Sequence, residues 1–258
     1  MNHKTSYLNV VDTFKMNMNR YFYELEELLA SPDEYQTYLL ADDVIVLITA
    51  LKNHHQDYLV RVLMDNYKNK TIDSILEFLA VQNINSFLLA INCLEEVDIH
   101  YLQRRNLVFR SVRKSFVKLK QLEEYSAKNV RELKKSDLAL AQQTKFPEIK
   151  YRPSFEILFN IFVLQNKGRI FAYLEEEKIV GYLSFIKSFA NYYDVDFIYV
   201  ADEFRHRGIG TSLAKVYGNT VLNENMIPYW SYAINKESEH TALKAGFELC
   251  CKHWHFEG

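Results

Sequence analysis

Cysteine, proline and glycine are scarce in this chain. Its 258 residues include three cysteines, four prolines and seven glycines. Cys93, Cys250 and Cys251 are too few for a disulfide framework, and the adjacent pair does not have the spacing of metal ligands. A reducing compartment is the simplest setting for such a chain, so we expect a cytoplasmic protein.

The chain also lacks a charge bias and a long apolar run. Its 31 basic residues oppose 33 acidic ones, for a net charge near −2, so we expect neither nucleic acid nor an anionic membrane as a partner. No stretch approaches the roughly 18 to 20 apolar residues of a membrane span. One stretch is locally basic, with Arg104, Arg105, Arg110, Arg113, Lys114, Lys118 and Lys120. Because charge runs usually form solvated surface, we predict a solvated strand-and-helix face here rather than a polyanion site.

What is present is enough apolar surface for a sizeable core. Hydrophobic residues make up 48% of the chain, which suits one large domain or two small ones. From about residue 130 the pattern alternates between strands and helices, and apolar residues at 155, 158, 159 and 162 form the stripe of an amphipathic helix. We predict an α/β fold for 126–258, with a mixed sheet flanked by helices.

The N-terminal domain, 1–125, is harder to interpret. Helices are predicted over 16–29 and 72–80, and β-rich segments over 38–51 and 57–63, which indicates an α+β domain. The tripeptide Ala-Ile-Asn ends at Asn92 and again at Asn235, each time before a predicted helix and strand. The domain is therefore either a degenerate copy of the C-terminal fold or an unrelated cap.

The most informative segment is Arg-His-Arg-Gly-Ile-Gly-Thr at 205–211. It follows a predicted strand over 194–200 and opens a predicted helix over 209–222. Free N–H groups in such a turn and the positive end of the helix dipole attract phosphate oxygens, and glycines let the backbone approach closely. We therefore predict a diphosphate site.

The spacing indicates which diphosphate binds. A third glycine for GxGxxG and the Lys-Ser/Thr of a P-loop are both missing. The pattern R-x-x-G-x-G resembles the coenzyme A turn of the GCN5-related N-acetyltransferases (GNAT). Asn235, Ser238 and the run Lys244-Ala245-Gly246-Phe247 resemble the N-x-x-S/A and K-x-G-F ending of that family. The resemblance covers about 130–258, and the segments 194–205 and 228–235 are similar to the bacterial branch that includes the zwittermicin A resistance protein.

The resemblance implies acetyl-CoA as co-substrate, no metal, and a set of cofactor-binding residues. The residues expected at the pyrophosphate are Arg205, His206, Arg207, Gly208, Ile209, Gly210, Thr211 and Ser212. Backbone groups of Phe197, Ile198, Tyr199 and Val200 would pair with the pantetheine arm. Asn235 and Ser238 complete the set. The alternative for Arg205 and Arg207 is a surface charge pair.

Acyl transfer to an amine also needs a base. A primary ammonium has a pKa near ~10 and must lose a proton before it can attack. Asp194 and Asp196 lie two residues apart on a predicted strand and so share a face, where either could accept that proton. They could instead bind a cationic substrate or lie on a solvated face.

The general acid is the one catalytic group for which this chain departs from the family. The family's usual tyrosine falls at Ala242 here, so the group that normally protonates the departing thiolate is missing. A thiolate of pKa near ~8.5 can leave without an acid. Ser238, Tyr232 and His206 are candidate substitutes, and we place Ser238 in the catalytic set.

Together these patterns predict an acetyl-CoA-dependent N-acyltransferase that acts on a small-molecule amine. The alternative is a non-catalytic acyl-CoA-binding or regulatory module, which Ala242 would favour. The histidine pairs at 54–55 and 253–255 lack metal-ligand partners at the right spacing. The sequence also allows a homodimer.

Overall fold

The computed structural model describes residues 3–4, 18–40, 44–52, 54–121, 127–147 and 152–258. The strands are β1 (His3–Lys4), β2 (Tyr35–Leu39), β3 (Ile45–Ala50), β4 (Tyr58–Leu63), β5 (Phe87–Cys93), β6 (Val108–Val117), β7 (Val130–Glu132), β8 (Arg169–Glu175), β9 (Lys178–Lys187), β10 (Tyr192–Val200), β11 (Ile227–Ala233) and β12 (Glu248–Glu257). The α-helices are α1 (Met18–Ala30), α2 (Asn69–Val81), α3 (Ile99–Arg104), α4 (Leu138–Gln143), α5 (Phe155–Phe159), α6 (Ile209–Asn223) and α7 (Lys236–Lys244).

The predicted α/β class is confirmed. Every element predicted after residue 130 is present within a few residues of its predicted bounds, and a π-helical turn, Asn160–Leu164, extends the amphipathic α5. The predicted start of the first helix at 16–17 and the predicted domain boundary at 125/126 include residues outside the described ranges. That boundary stays a prediction.

By packing, the chain forms two compact units. Unit 1 takes the described residues of Met1–Ser115 together with Tyr232–Ile234 and Leu249–Gly258, and unit 2 takes Phe116–Ser231 and Asn235–Glu248. In unit 1, β1 to β4 are successively antiparallel, β5 is parallel to β4, and β12 is antiparallel to β5. One face of this sheet and α2 bury an apolar core of aliphatic and aromatic residues.

Unit 2 repeats the same order of elements. Strands β7 to β10 are successively antiparallel and β11 is parallel to β10. A long helix connects the parallel pair in each unit, α2 between β4 and β5 and α6 between β10 and β11. Such a repeat is what a degenerate duplication would produce. The equivalent helix caps are Asp98 and Asn235, whereas Asn92 lies inside β5, so the shared tripeptide did not mark equivalent positions.

Opposite its apolar core, the unit 1 sheet carries a buried polar network. Glu24 of α1, Asn92, Ser115 and His253 are each at most 1% exposed. Asn92 Nδ2 donates to Glu24 Oε1 at 3.1 Å, and His253 Nδ1 lies 2.8 Å from Asn92 Oδ1 and 3.4 Å from Glu24 Oε1. His253 Nε2 is 2.9 Å from Ser115 Oγ, which accepts the N–H of Tyr232 at 3.3 Å. Burial alone would raise the pKa of Glu24, but the bond to His253 and the charges of His253 and Arg61 lower it overall.

The same face gives unit 1 a pH-dependent stability. Burial, together with the charges of Arg113, His253 and Arg61, lowers the pKa of His255 from 6.5 to about 4. Between these values the unfolded chain binds a proton that the folded chain does not, so stability falls as the pH falls from 6.5 towards 4. In the wild type this effect lowers the free energy of unfolding by up to about 3 kcal/mol between pH 6.5 and pH 4, and we expect His255→Gln to abolish that loss. Urea unfolding of the wild type and the variant at pH 7 and pH 4.5 measures how much stability each loses on acidification. Equal losses of stability in the two proteins would show that His255 is not the group responsible.

One part of the basic-stretch prediction is wrong. Arg104, Arg105, Arg110 and Arg113 are exposed as predicted, but Lys118 is fully buried in unit 2. Its Nζ donates to Asn219 Oδ1 and to the carbonyl of Ala245, both at 3.0 Å. Burial, and then the charge of Lys215, lower the pKa of Lys118 to about 8. The lysine thereby connects α6 to the end of α7.

None of the helices in the described part of the chain is long and apolar enough to cross a membrane.

Candidate functional site

The predicted phosphate turn lies at the N-terminus of α6, in unit 2. Gly208 is the N-cap with φ 79°, and His206 also adopts a left-handed conformation, with φ 62°. A Cβ added to Gly208 would meet no atom within 4 Å, so the backbone angle, and not a lack of space, makes glycine favourable here. Ser212 N–H donates to the carbonyl of Gly208. The N–H groups of the first turn, Ile209 to Thr211, have no acceptor within the helix and suit an anion.

Two arginines flank this helix end. Arg205 contacts Asp202 at 2.8 Å and Arg207 lies 3.6 Å from Glu175, and both arginine side chains are more than half exposed, at 51% and 56%. Ion pairs this exposed are weak, at about 0 to 1 kcal/mol. Both guanidinium groups also donate to main-chain carbonyls, Arg205 to Val200 at 3.2 Å and Arg207 to Glu203 at 3.3 Å. A bound diphosphate would replace these exposed contacts.

Next to the turn, two parallel strands separate. β10 and β11 pair only from Tyr192↔Ile227 to Asp194↔Tyr229, while β10 remains paired with β9 as far as Val200↔Gly181. Within the described residues, the edge of β10 beyond Asp194 has no partner on β11. The predicted pantetheine-binding residues, Phe197 to Val200, lie on this open edge. An extended ligand could add to it as a strand would.

A buried tyrosine closes the strand pair just before the strands separate. Tyr217 of α6 is fully buried, and its hydroxyl lies 2.7 Å from the carbonyl of Tyr193 and 3.2 Å from the N–H of Tyr229. Pro228, opposite Tyr193, has no N–H for the ladder. Burial, and then the charge of Asp194, raise the pKa of Tyr217 well above 10, so this phenol stays neutral and structural.

Asp194 lies at the point of separation. Its Oδ1 accepts the N–H of Ser231 at 3.0 Å and its Oδ2 accepts the Ser231 hydroxyl at 2.7 Å. The carboxylate thus takes the place of ladder bonds between β10 and β11. This geometry favours a role in holding the two strands apart at a fixed distance.

Asp196 has a different environment because a bulge lies between Val195 and Phe197. Ser184 of β9 donates to Asp196 Oδ2 at 2.9 Å, and Arg152 donates to Oδ1 at 3.1 Å and to the main-chain carbonyl at 3.2 Å. The prediction that the two aspartates share a face rested on regular alternation, which the bulge interrupts. The structure gives them separate sets of partners.

The segment from Asn235 to Ser238, which resembles the family's N-x-x-S/A motif, forms the N-terminal cap of α7. Asn235 is the N-cap of α7, and its side chain accepts the N–H of Ser238 at 2.8 Å. The hydroxyl oxygen of Ser238 accepts the indole N–H of Trp230 at 3.2 Å, so its proton is left to donate to another group. Ala242 is fully buried. The neighbouring Thr241 instead contacts the glycine turn, since a Cβ on Gly210 would lie 3.6 Å from its methyl carbon.

Two predicted substitutes for the acid have different surroundings. Tyr232 packs its ring against Tyr23 and His253 inside unit 1. Burial, and then the charges of Glu24 and other neighbours, raise its pKa well above 10, which makes it a poor proton donor. His206 is exposed in the turn.

Sequence reasoning did not identify Ser231, Ser184, Arg152 or Thr241. Each is an isolated hydroxyl or arginine residue in the sequence. No local pattern distinguishes it, because its position matters only through a contact with a distant segment. Among the described residues, no group of three or more His, Cys, Asp or Glu residues is arranged to hold a metal ion.

Comparison with known proteins supports a relationship between part of this chain and the GNAT superfamily. Residues 135–247 match the model of the acetyltransferase (GNAT) family. An acetyltransferase from the GNAT family of Colwellia psychrerythraea superimposes with a TM-score of 0.57 at 9% identity, over 100% of this chain and 99% of that one. A GCN5-related N-acetyltransferase from Sphaerobacter thermophilus gives a TM-score of 0.56 at 11% identity, over 100% and 95%. At such identities the likeness concerns the fold alone, and no curated protein matches the sequence.

Proposed function

We propose that this protein transfers an acetyl group from acetyl-CoA directly to an amine of a small molecule. The observation that carries the proposal is the left-handed glycine turn at the start of α6, beside the open edge of β10. A helix N-terminus accommodates a diphosphate, and a free strand edge accommodates the amide-containing pantetheine arm. Within unit 2 the glycine turn follows the open edge of β10 along the chain. The pyrophosphate of coenzyme A could therefore bind at the turn while its pantetheine arm extends along β10.

The donor would lie along β10 and end at the turn. Backbone groups from Phe197 to Val200 would bind the pantetheine, and those from Arg205 to Thr211 the pyrophosphate, with Ser212 as a further donor. Arg205 and Arg207 would leave their exposed ion pairs for phosphate oxygens. The thioester would then reach the point where β10 and β11 separate.

The chemistry would proceed by direct transfer. The ammonium group gives one proton to the base, the neutral nitrogen attacks the thioester carbonyl carbon, and the C–S bond breaks. The second proton, which the nitrogen loses as the amide forms, ends on the departing thiolate of coenzyme A. Asp196 is the favoured base, because its partner Arg152 is exposed and exchangeable, whereas both oxygens of Asp194 are bound by Ser231. Asp194 would position the strands, and the Ser238 hydroxyl would donate a hydrogen bond to the thiolate and relay to it the second proton that the nitrogen loses.

The acceptor and the subfamily follow from the sequence motifs and from the charge of the chain. We infer a small-molecule amine, and a relationship to the branch that includes the zwittermicin A resistance protein, from the motifs along 194–235. The nearly balanced charge of the chain does not favour a strongly basic or acidic macromolecule as the acceptor.

The aspartate assignment leads to a kinetic prediction. Asp196→Asn is expected to lower kcat/KM by about a hundredfold, as the loss of a general base does, while the Kd for acetyl-CoA stays unchanged. Asp194→Asn keeps the oxygen that accepts Ser231 N–H and should reduce the rate much less. Amine-dependent release of the coenzyme A thiol measures the rate, and calorimetry measures the Kd.

The same assay separates the two functional classes. A binding or regulatory module would bind acetyl-CoA without releasing thiol for any amine in a panel. Equal rates for the wild type and the Asp194→Asn/Asp196→Asn double variant would eliminate the base assignment.

A further inference from the structure

We infer that Asp196 and Phe197 form a binding site for an organic cation, and that Arg152 occupies it in this structure. This inference rests on the proposed function and places a cationic group of the acceptor, either its own ammonium or a guanidinium, at Asp196. It concerns unit 2 alone.

Three groups converge on the Arg152 guanidinium. It donates to Asp196 Oδ1 at 3.1 Å and to the main-chain carbonyl of Asp196 at 3.2 Å. Its Cζ lies 4.7 Å from the centre of the Phe197 ring, within the range of a cation–π contact. A carboxylate, a carbonyl and an aromatic face are together the elements of a cation site.

The site is built on rigid groups. Ser184 is fully buried in β9, and its hydroxyl donates to Asp196 Oδ2 at 2.9 Å, which fixes the orientation of the carboxylate. The bulge at Asp196 lets one guanidinium reach both the side chain and the carbonyl of the same residue. The Phe197 ring lies 6.1 Å from the ring of Tyr182, a buried residue.

The occupant, in contrast, is loosely held. Arg152 lies in the irregular segment before α5, and its side chain is 39% exposed. An ion pair this exposed is weak, because solvent screens both charges. A ligand cation could therefore displace it, and would bring its ammonium to the carboxylate that we propose as the base.

Binding of agmatine, which carries a guanidinium and a primary ammonium group, tests the inference without any turnover. We expect Arg152→Ala to lower the calorimetric Kd for agmatine about three- to fivefold relative to wild type, since the internal competitor is gone. In the Arg152→Ala background, Asp196→Asn should then raise the Kd about tenfold. The matched control is Arg131→Ala, which removes another exposed arginine, paired with Asp137 at 2.8 Å, and should leave the Kd at the wild-type value.

The outcomes are separable from those of the proposed function. Equal Kd values for wild type and Arg152→Ala, absence of agmatine binding to Arg152→Ala, or binding that does not depend on Asp196 would each overturn the cation site, even with acetyl-CoA binding intact. Failure of thiol release with every amine would overturn the transferase assignment, while the agmatine titration would still report on the cation site. Circular dichroism of each variant verifies that it is folded.

Discussion

Acetyl-CoA binding is expected to be lost when Gly208 is replaced by glutamate. The new carboxylate would lie at the N-terminus of α6, where we propose the diphosphate, and two like-charged groups about 4 Å apart near a protein surface repel by about 4 kcal/mol. The Kd should rise by about a thousandfold. Calorimetric titration of acetyl-CoA into both proteins measures the change.

The matched control is Gly208→Ala. Its Cβ meets no atom within 4 Å, so the expected cost is confined to the left-handed φ of 79°, about 1 to 2 kcal/mol of stability. Binding should persist within a few-fold. If alanine abolished binding as fully as glutamate, the conformation of the turn, and not charge at the diphosphate, would be the decisive factor. If glutamate left the Kd unchanged, the diphosphate would have to bind elsewhere.

The second large effect concerns stability. His253→Ala removes the imidazole that lies beside the buried Glu24 carboxylate, and Oε2 of Glu24 already has no hydrogen-bond partner. Removing the partner of a buried carboxylate leaves that carboxylate uncompensated and typically costs about 3 to 5 kcal/mol. We expect unit 1 to lose that much of its free energy of unfolding.

Trp254 can report this loss directly. The chain has two tryptophans, and Trp254 packs in the core of unit 1, so Trp230→Phe makes it the sole fluorescent reporter. In that background, Glu24→Gln added to His253→Ala should recover part of the loss, because the unpaired charge is gone. Glu26→Gln, on the same helix and half-buried, should change the stability by less than about 0.5 kcal/mol. A His253→Ala variant as stable as its parent would show that the network contributes nothing to unit 1.

The catalytic prediction illustrates how far local patterns extend. Strand, turn and helix around Gly208 were predicted with their order and bounds, because hydrophobic periodicity and glycine placement act between near neighbours. The hydrogen-bond partners of Asp194 and Asp196 were not predicted, since Ser231 is 37 residues from Asp194 and Arg152 is 44 residues from Asp196. A bulge, which the alternation of residues did not reveal, also changed the geometry of Asp196.

The chain by itself determined the α/β class, the order of strands and helices after residue 130, and the glycine turn before α6. These properties depend on contacts within a few residues, which a linear sequence displays. Only the tertiary structure decided that Lys118 is buried on Asn219, 101 residues away, that Ala242 lies in the core, and that the last strand packs in unit 1. Contacts between distant segments depend on how whole helix and sheet surfaces pack against one another. A pattern of neighbouring residues does not reveal that packing.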